Sequence, residues 1–148
     1  EVRGAEALDM LAAMNSGHEG SMCTIHANGP RQALSKLRMY AMMAEEALPA
    51  EAVTEMIAEA IDLVVHLRLD PAGARRVVTN VYEVTGLEGD TVAGSDLFSL
   101  SEGALRWSGI RPRFAPRLHG GAFPWDRLDG APASARAGRD GNGRGVER

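Results

Sequence analysis

The sequence has 148 residues, 45% of them hydrophobic, which is within the range of one domain and enough for a real core. Its single cysteine excludes an internal disulfide framework and fits a reducing compartment. The net charge of −4 divides unevenly: residues 1–105 carry sixteen acids against seven Lys or Arg, and residues 106–148 carry nine Arg against four acids, an acidic body with a basic tail.

In chain order, Ala5 to Met14 is dense in Ala, Leu, Met and Glu and predicts a well-buried helix with Glu6 and Asp9 as its charges. Asn15, Ser16 and Gly17 close it, Gly taking the left-handed C-cap without a Cβ clash. Ser21 to Ala27 is a short, mostly apolar run that predicts a fully covered strand. Strand alternation puts Met22, Thr24 and His26 on one face and Ser21, Cys23 and Ile25 on the other. A Thr and a His at the C-terminal end of a covered strand stand where open α/β sheets bind ligands. A core His satisfied by one hydrogen bond is the plainer alternative, and the strand by itself leaves both open.

Gly29 and Pro30 open a second helix, with Pro at the first position. From Arg31 to Leu48 the residues Ala33, Leu37, Tyr40, Ala41, Ala44 and Leu48 form its apolar stripe, and Met39, Met42 and Met43 read as packing filler. Pro49 starts a third helix carrying Val53, Met56, Ile57, Ala60 and Ile61 at helical spacing. The period then changes to two. Leu63 to Leu69, Arg76 to Val84 and Thr91 to Leu100 read as three strands of an antiparallel meander, with turns at Pro71-Ala72-Gly73 and Glu88-Gly89-Asp90. Beyond about Asp129 the chain is Gly, Ala, Arg, Ser and Pro with almost no large apolar residue, and predicts a disordered tail. Phe123 and Trp125 are the tail's two aromatics, too few for a base-stacking series, so no specific nucleic-acid partner is expected.

The segments Glu1-Val2-Arg3-Gly4, Glu6-Ala7-Leu8-Asp9-Met10-Leu11, Ala13-Met14-Asn15-Ser16-Gly17-His18, Thr24-Ile25-His26-Ala27-Asn28 and Pro30-Arg31 together resemble the secretion ATPases of type II and type IV secretion, in particular the branch that powers tight-adherence (Flp) pilus assembly. The resemblance covers roughly residues 1–119 and is most specific in 1–31. It implies an α/β fold: the C-terminal part of a RecA-like P-loop NTPase core over residues 1–105, with the meander appended. A closing segment over 106–128 and the disordered basic tail over 129–148 complete the expected organisation. In that family Glu-Val-Arg-Gly ends the Walker B strand, so Glu1 is implied as the group that polarises the attacking water. Thr24 and His26, with His18, are implied as the histidine box that meets the γ-phosphate or that water. Arg3, Arg68 and Arg76 are implied as basic positions facing nucleotide or a neighbouring subunit, with Arg75 beside them. The implied cofactors are ATP and Mg²⁺. The implied setting is a homo-hexamer at the cytoplasmic face of the inner membrane, held there by secretion or pilus-assembly partners.

A P-loop needs Gly-rich backbone N–H groups at a helix start and a Lys on the phosphates. The chain's one lysine, Lys36, lies mid-helix without glycines, so no Walker A motif is present and no ATP turnover by these residues alone is expected. The opening Glu, inside what reads as a strand end, points to a fragment. No apolar run of about 18 residues occurs and no signal-peptide pattern opens the chain, so membrane contact is expected only through partners. A metal site at His18, Cys23 and His26 is disfavoured, because alternation sends Cys23 and His26 to opposite faces. Cys23 reads as an inert buried thiol, and His66 and His119 as ordinary polar positions. Two functions remain: the C-terminal part of a hexameric traffic ATPase, or a non-catalytic truncated module that binds secretion partners.

Overall fold

The computed structural model describes residues 1–18, 20–70, 73 and 75–118. The predicted tail over 129–148, His119, Phe123, Trp125 and most of the 106–128 segment's second half lie outside these residues. Three helices come first, α1 (Glu6–Asn15), α2 (Pro30–Ala41) and α3 (Ala50–Ala60). Four strands follow, β1 (Leu63–Leu69), β2 (Arg76–Glu88), β3 (Thr91–Ser101) and β4 (Ala104–Trp107), paired antiparallel in that order. These elements belong to one compact unit, Glu1–Arg113. A second unit starts at Phe114, and its described residues hold one 3₁₀ turn, Ala115–Arg117.

The core lies where the helices meet one face of the sheet. Leu8 and Leu11 of α1, Leu34, Leu37 and Ala41 of α2, and Val53 and Ile57 of α3 pack with Tyr82 and Val84 of β2 and with Val2. Leu11, Val53 and Ile57 are the largest fully buried side chains. Each such burial contributes about 1.5–3 kcal/mol, which makes this patch the anchor of the unit. Pro30 stands in the first turn of α2, as its missing N–H allows.

The three predicted strands of the meander are present, with β2 running on to Glu88. A fourth strand, β4, was not foreseen. It forms because Glu102 (φ 51°) and Gly103 (φ 77°) are both left-handed, the pattern of a two-residue type I′ hairpin turn. Pairing shifts by one residue in three places: Thr79 of β2 is the extra residue opposite His66 and Leu67, Leu97 of β3 opposite Val81 and Tyr82, and Thr85 of β2 opposite Gly94 and Ala93. The Tyr82 ring lies across Gly94 of β3, where there is no room for a side chain.

Four expectations need correction. Ser21–Ala27 is not a covered strand: its described ladder is one bond, Val2 N–H to the Thr24 carbonyl (2.8 Å). Ile25 alone of its residues packs on the core, while Met22 is 94% exposed and Ser21, Cys23, Thr24 and His26 are exposed. A strand is covered only when neighbours flank it, and here Val2 is the single described one. Helix α2 stops at Ala41 rather than Leu48: the next bonds tighten to i−3 turns, Met43 N–H to the Tyr40 carbonyl and Ala44 N–H to the Ala41 carbonyl, before Ala47 turns left-handed (φ 45°). That early stop leaves Met42 and Met43 off any buried face, and Met39 points outward, so none of the three fills the core. Helix α1 buries one face only, Ala7, Leu8 and Leu11, with Ala12 and Ala13 exposed.

The other face of β1 carries Leu63, Val65, Leu67 and Leu69, all at least 40% exposed, on a strand at the end of the sheet.

Candidate functional site

The first four residues and the 24–28 segment meet because Val2 is buried and its N–H is bonded to Thr24. That bond brings the Glu1 carboxylate beside the His26 imidazole, Glu1 Oε1 to His26 Nε2 being 2.9 Å. The second oxygen, Oε2, accepts from Arg3 Nη2 at 2.7 Å. The Arg3 guanidinium, hydrogen-bonded to the carboxylate, holds Glu1 below the usual carboxylate range, and the charges of Arg3 and His26 act in the same direction. Glu1 raises the Arg3 pKa in return. An ionised carboxylate only accepts, so the proton of the Glu1–His26 bond sits on His26 Nε2. The pair can therefore hold a proton at Nε2 and offer a negative oxygen to a water or a hydroxyl, the requirements of general acid–base work.

Glu6 prepares this arrangement. At the start of α1 its Oε1 accepts from the N–H groups of Arg3 (2.7 Å) and Gly4 (3.1 Å), a carboxylate folded back over its own helix N-terminus. The Arg3 N–H bond, with that of Gly4, lowers the Glu6 pKa. Stability drawn from Glu1 and Glu6 is therefore complete above their unfolded pKa values and is lost as pH falls through the depressed folded ones. In an acid titration followed by amide NMR, the Arg3 and Gly4 N–H signals are expected to move together, with a midpoint below the ordinary glutamate value. Independent movement of the two signals would contradict a shared acceptor.

The remaining sequence-selected residues fall in separate places. His18 Nδ1 is 3.0 Å from Ser16 Oγ and 3.0 Å from the Ala13 carbonyl, at the C-terminus of α1. Thr24 is exposed and takes part through its main-chain carbonyl. Arg68 lies on β1 in an open polar cleft of about 270 Å³ with His66, Thr79, Asn80, Ser99 and Asn28. Arg76 begins β2 opposite Leu69, and Arg75 pairs with Asp70 at 3.3 Å. His66 Nδ1 is 2.5 Å from the buried Thr79 hydroxyl, which the bulge in β2 turns toward it. Cys23 is exposed, not buried as its strand position had predicted.

Two residues that shape the site were not singled out for it from the sequence. Glu6 is one; its signal was a carboxylate two residues after Gly4 at a helix start. The other is Lys36, whose ammonium donates to the His26 carbonyl at 2.8 Å.

Residues 1–91 match the protein-family model described as "Type II/IV secretion system protein". Similar curated proteins include a candidate conjugal transfer protein of Mycobacterium tuberculosis, 44% identical over 52% of this chain and 21% of its own length. Conjugal transfer protein TrbB of Rhizobium radiobacter is 40% identical over 60% of this chain and 25% of its own. Type IV secretion system protein PtlH of Bordetella pertussis is 37% identical over 59% of this chain and 26% of its own. The chain thus spans about a quarter or less of the length of these relatives. Among solved structures, the VirB11 ATPase of the Brucella suis type IV secretion system, in complex with sulphate, matches with a TM-score of 0.52 and 27% identity, over 55% of this chain and 25% of that one.

Proposed function

The chain belongs to the type II/IV secretion system protein family, and from that premise we propose that it is the C-terminal part of a hexameric ATPase that powers secretion or pilus assembly. The observation that carries the reading is the 2.9 Å contact between Glu1 and His26, twenty-five positions apart in sequence. On this reading residues 1–105 are the latter part of a RecA-like core. Glu1 is the water-polarising carboxylate and His26 the group that reports on the terminal phosphate, with Thr24 and His18 in the same box. Arg3, Arg68 and Arg76 face nucleotide or a neighbouring subunit. Residues 106–128 close the core, and 129–148 form a basic tail. Within the family, Glu1-Val2-Arg3-Gly4 and Thr24-Ile25-His26-Ala27-Asn28 support the tight-adherence branch. The working position would be the cytoplasmic face of the inner membrane, reached through partner proteins. No described helix is long and apolar enough to cross a membrane.

The residues present fit one end of a nucleotide. ATP with Mg²⁺, when bound, supplies the electrophilic phosphorus; this chain supplies a carboxylate acceptor and an N–H donor side by side. Each Glu1 oxygen has one contact here, Oε1 with His26 and Oε2 with Arg3, which fixes the plane of the carboxylate. The phosphate cradle is not among the 148 residues, since no Gly-rich run ends in Gly-Lys-Ser or Gly-Lys-Thr. The second reading is a non-catalytic module that packs against secretion partners.

Calorimetry separates the two. The 148 residues alone are expected to bind no ATP measurably, and the polypeptide encoded in frame through Glu1 is expected to bind and hydrolyse it. Tight ATP binding by the 148 residues alone would overturn the missing-cradle deduction. An in-frame polypeptide without a P-loop would leave the module.

A further inference from the structure

His26 has an 84% exposed side chain and stands on a segment without a strand ladder, so packing does not fix its position. Main-chain bonds must do so, and the described ones lie on both sides of it. Upstream, the Thr24 carbonyl is held by Val2. Downstream, the segment is tied to α2 twice: Lys36 Nζ donates to the His26 carbonyl (2.8 Å), and the Asn28 N–H donates to Gln32 Oε1 (3.2 Å). Helix α2 is a firm support, since Ala33, Leu34, Leu37 and Ala41 bury its opposite face.

We propose that Lys36 is a positioning residue, which fixes the His26 main chain against α2 and so holds the imidazole at the Glu1 carboxylate. This rests on the reading of Glu1 and His26 as the reacting pair. Lys36 is half-buried, and its ammonium also lies 5.5 Å from the centroid of the Tyr40 ring, whose face attracts a cation. A charged donor to a carbonyl is stronger than a neutral one, and the ring keeps the flexible lysine stem from wandering. Lys36 lies on the face of α2 that, with Gln32, Ser35 and Met39, walls an open groove of about 560 Å³ beginning at His26. The chain's only lysine is therefore not spare surface charge, and on this proposal it acts through His26 rather than on phosphate.

The test uses Lys36→Met, which keeps the stem and removes the donor, and Lys36→Arg, which restores a charged donor. In the in-frame polypeptide, Lys36→Met is expected to lower kcat about tenfold with KM for ATP unchanged, because a displaced reacting group costs rate rather than substrate binding. Lys36→Arg is expected to recover most of the rate. In the 148-residue chain, the ¹⁵N and ¹H signals of the His26 ring are expected to move on Lys36→Met and to return on Lys36→Arg. Should Lys36→Met fail to fold by circular dichroism, Lys36→Gln replaces it in both arms. Unchanged ring signals in the donorless variant, or equal losses in the Met and Arg variants, overturn the proposal. If the parent polypeptide hydrolyses no ATP, the catalytic reading falls by itself, and the ring signals still decide whether Lys36 positions His26.

Discussion

His26→Ala, made in the in-frame polypeptide, is expected to reduce ATP turnover by roughly a hundredfold or more, the usual cost of removing a positioned acid–base group. Glu1→Gln should produce a loss of the same order, because the neutral amide cannot accept a proton from water or hold the imidazole N–H as a carboxylate does. The double variant should lose little more than either single one, since groups that act as a unit are not additive. His26→Ala should not shift the melting temperature appreciably, because the His26 side chain is 84% exposed. Steady-state phosphate release measures the effect. Turnover close to wild type in His26→Ala would remove the imidazole from the chemistry and leave its contact with Glu1 as a surface ion pair.

The second large effect concerns stability. A Cβ built on Gly94 would overlap the Glu83 carbonyl oxygen and stand 2.5 and 2.7 Å from Cε1 and Cζ of the Tyr82 ring. Neither obstacle can give way cheaply. The first is main chain in the neighbouring strand β2, and the second belongs to a ring only 2% exposed, wedged into the core with Val84 and Ile57. Gly94→Val should therefore destabilise the unit by about 3 kcal/mol or more, the upper end for overpacking. Thermal unfolding is expected to occur roughly 10 °C lower or further down. Gly94→Ala should be milder in the same direction. A Gly94→Val protein that melts with the wild type would mean that β2 and β3 are not in this register.

Much of this architecture could be read from the residues. The meander was visible because Leu63 to Leu69 alternates with period two and Arg76 to Val84 is rich in Val, Thr and Tyr, and the start of α2 because Gly29 and Pro30 mark it. Helix α2 ran short although Met42 to Glu46 are good helix formers: past Ala41 the chain passes into i−3 turns, a change that no residue type there announces. β4 was missed for a related reason: Glu is an unusual first residue for a turn that needs two left-handed positions. The cover expected over Ser21–Ala27 failed because apolar composition indicates what a segment tolerates and not what flanks it.

The site was legible as a set of residues and not as a geometry. Glu1 and His26 were selected together, and they lie in contact. Arg68 and Arg76, selected with them, sit on the sheet away from that contact, one in a cleft with His66 and the other opposite Leu69. The groups that hold the pair, Glu6 and Lys36, act through main-chain amides and a main-chain carbonyl. The Lys36 contact leaves no pattern in a sequence, because every residue offers the same main-chain carbonyl.

The Leu63, Val65, Leu67 and Leu69 row has a bearing on how the protein is made. Among the described residues β1 ends the sheet, and a terminal strand with greasy side chains is a template for any passing copy, the starting geometry of fibril growth. Aspartates and lysines that would discourage such stacking are absent from Leu63 to Leu69, where His66 and Arg68 are the only polar interruptions. During synthesis this ribbon is a hazard for as long as it stays bare, and chaperone demand should fall when a charged residue replaces Val65.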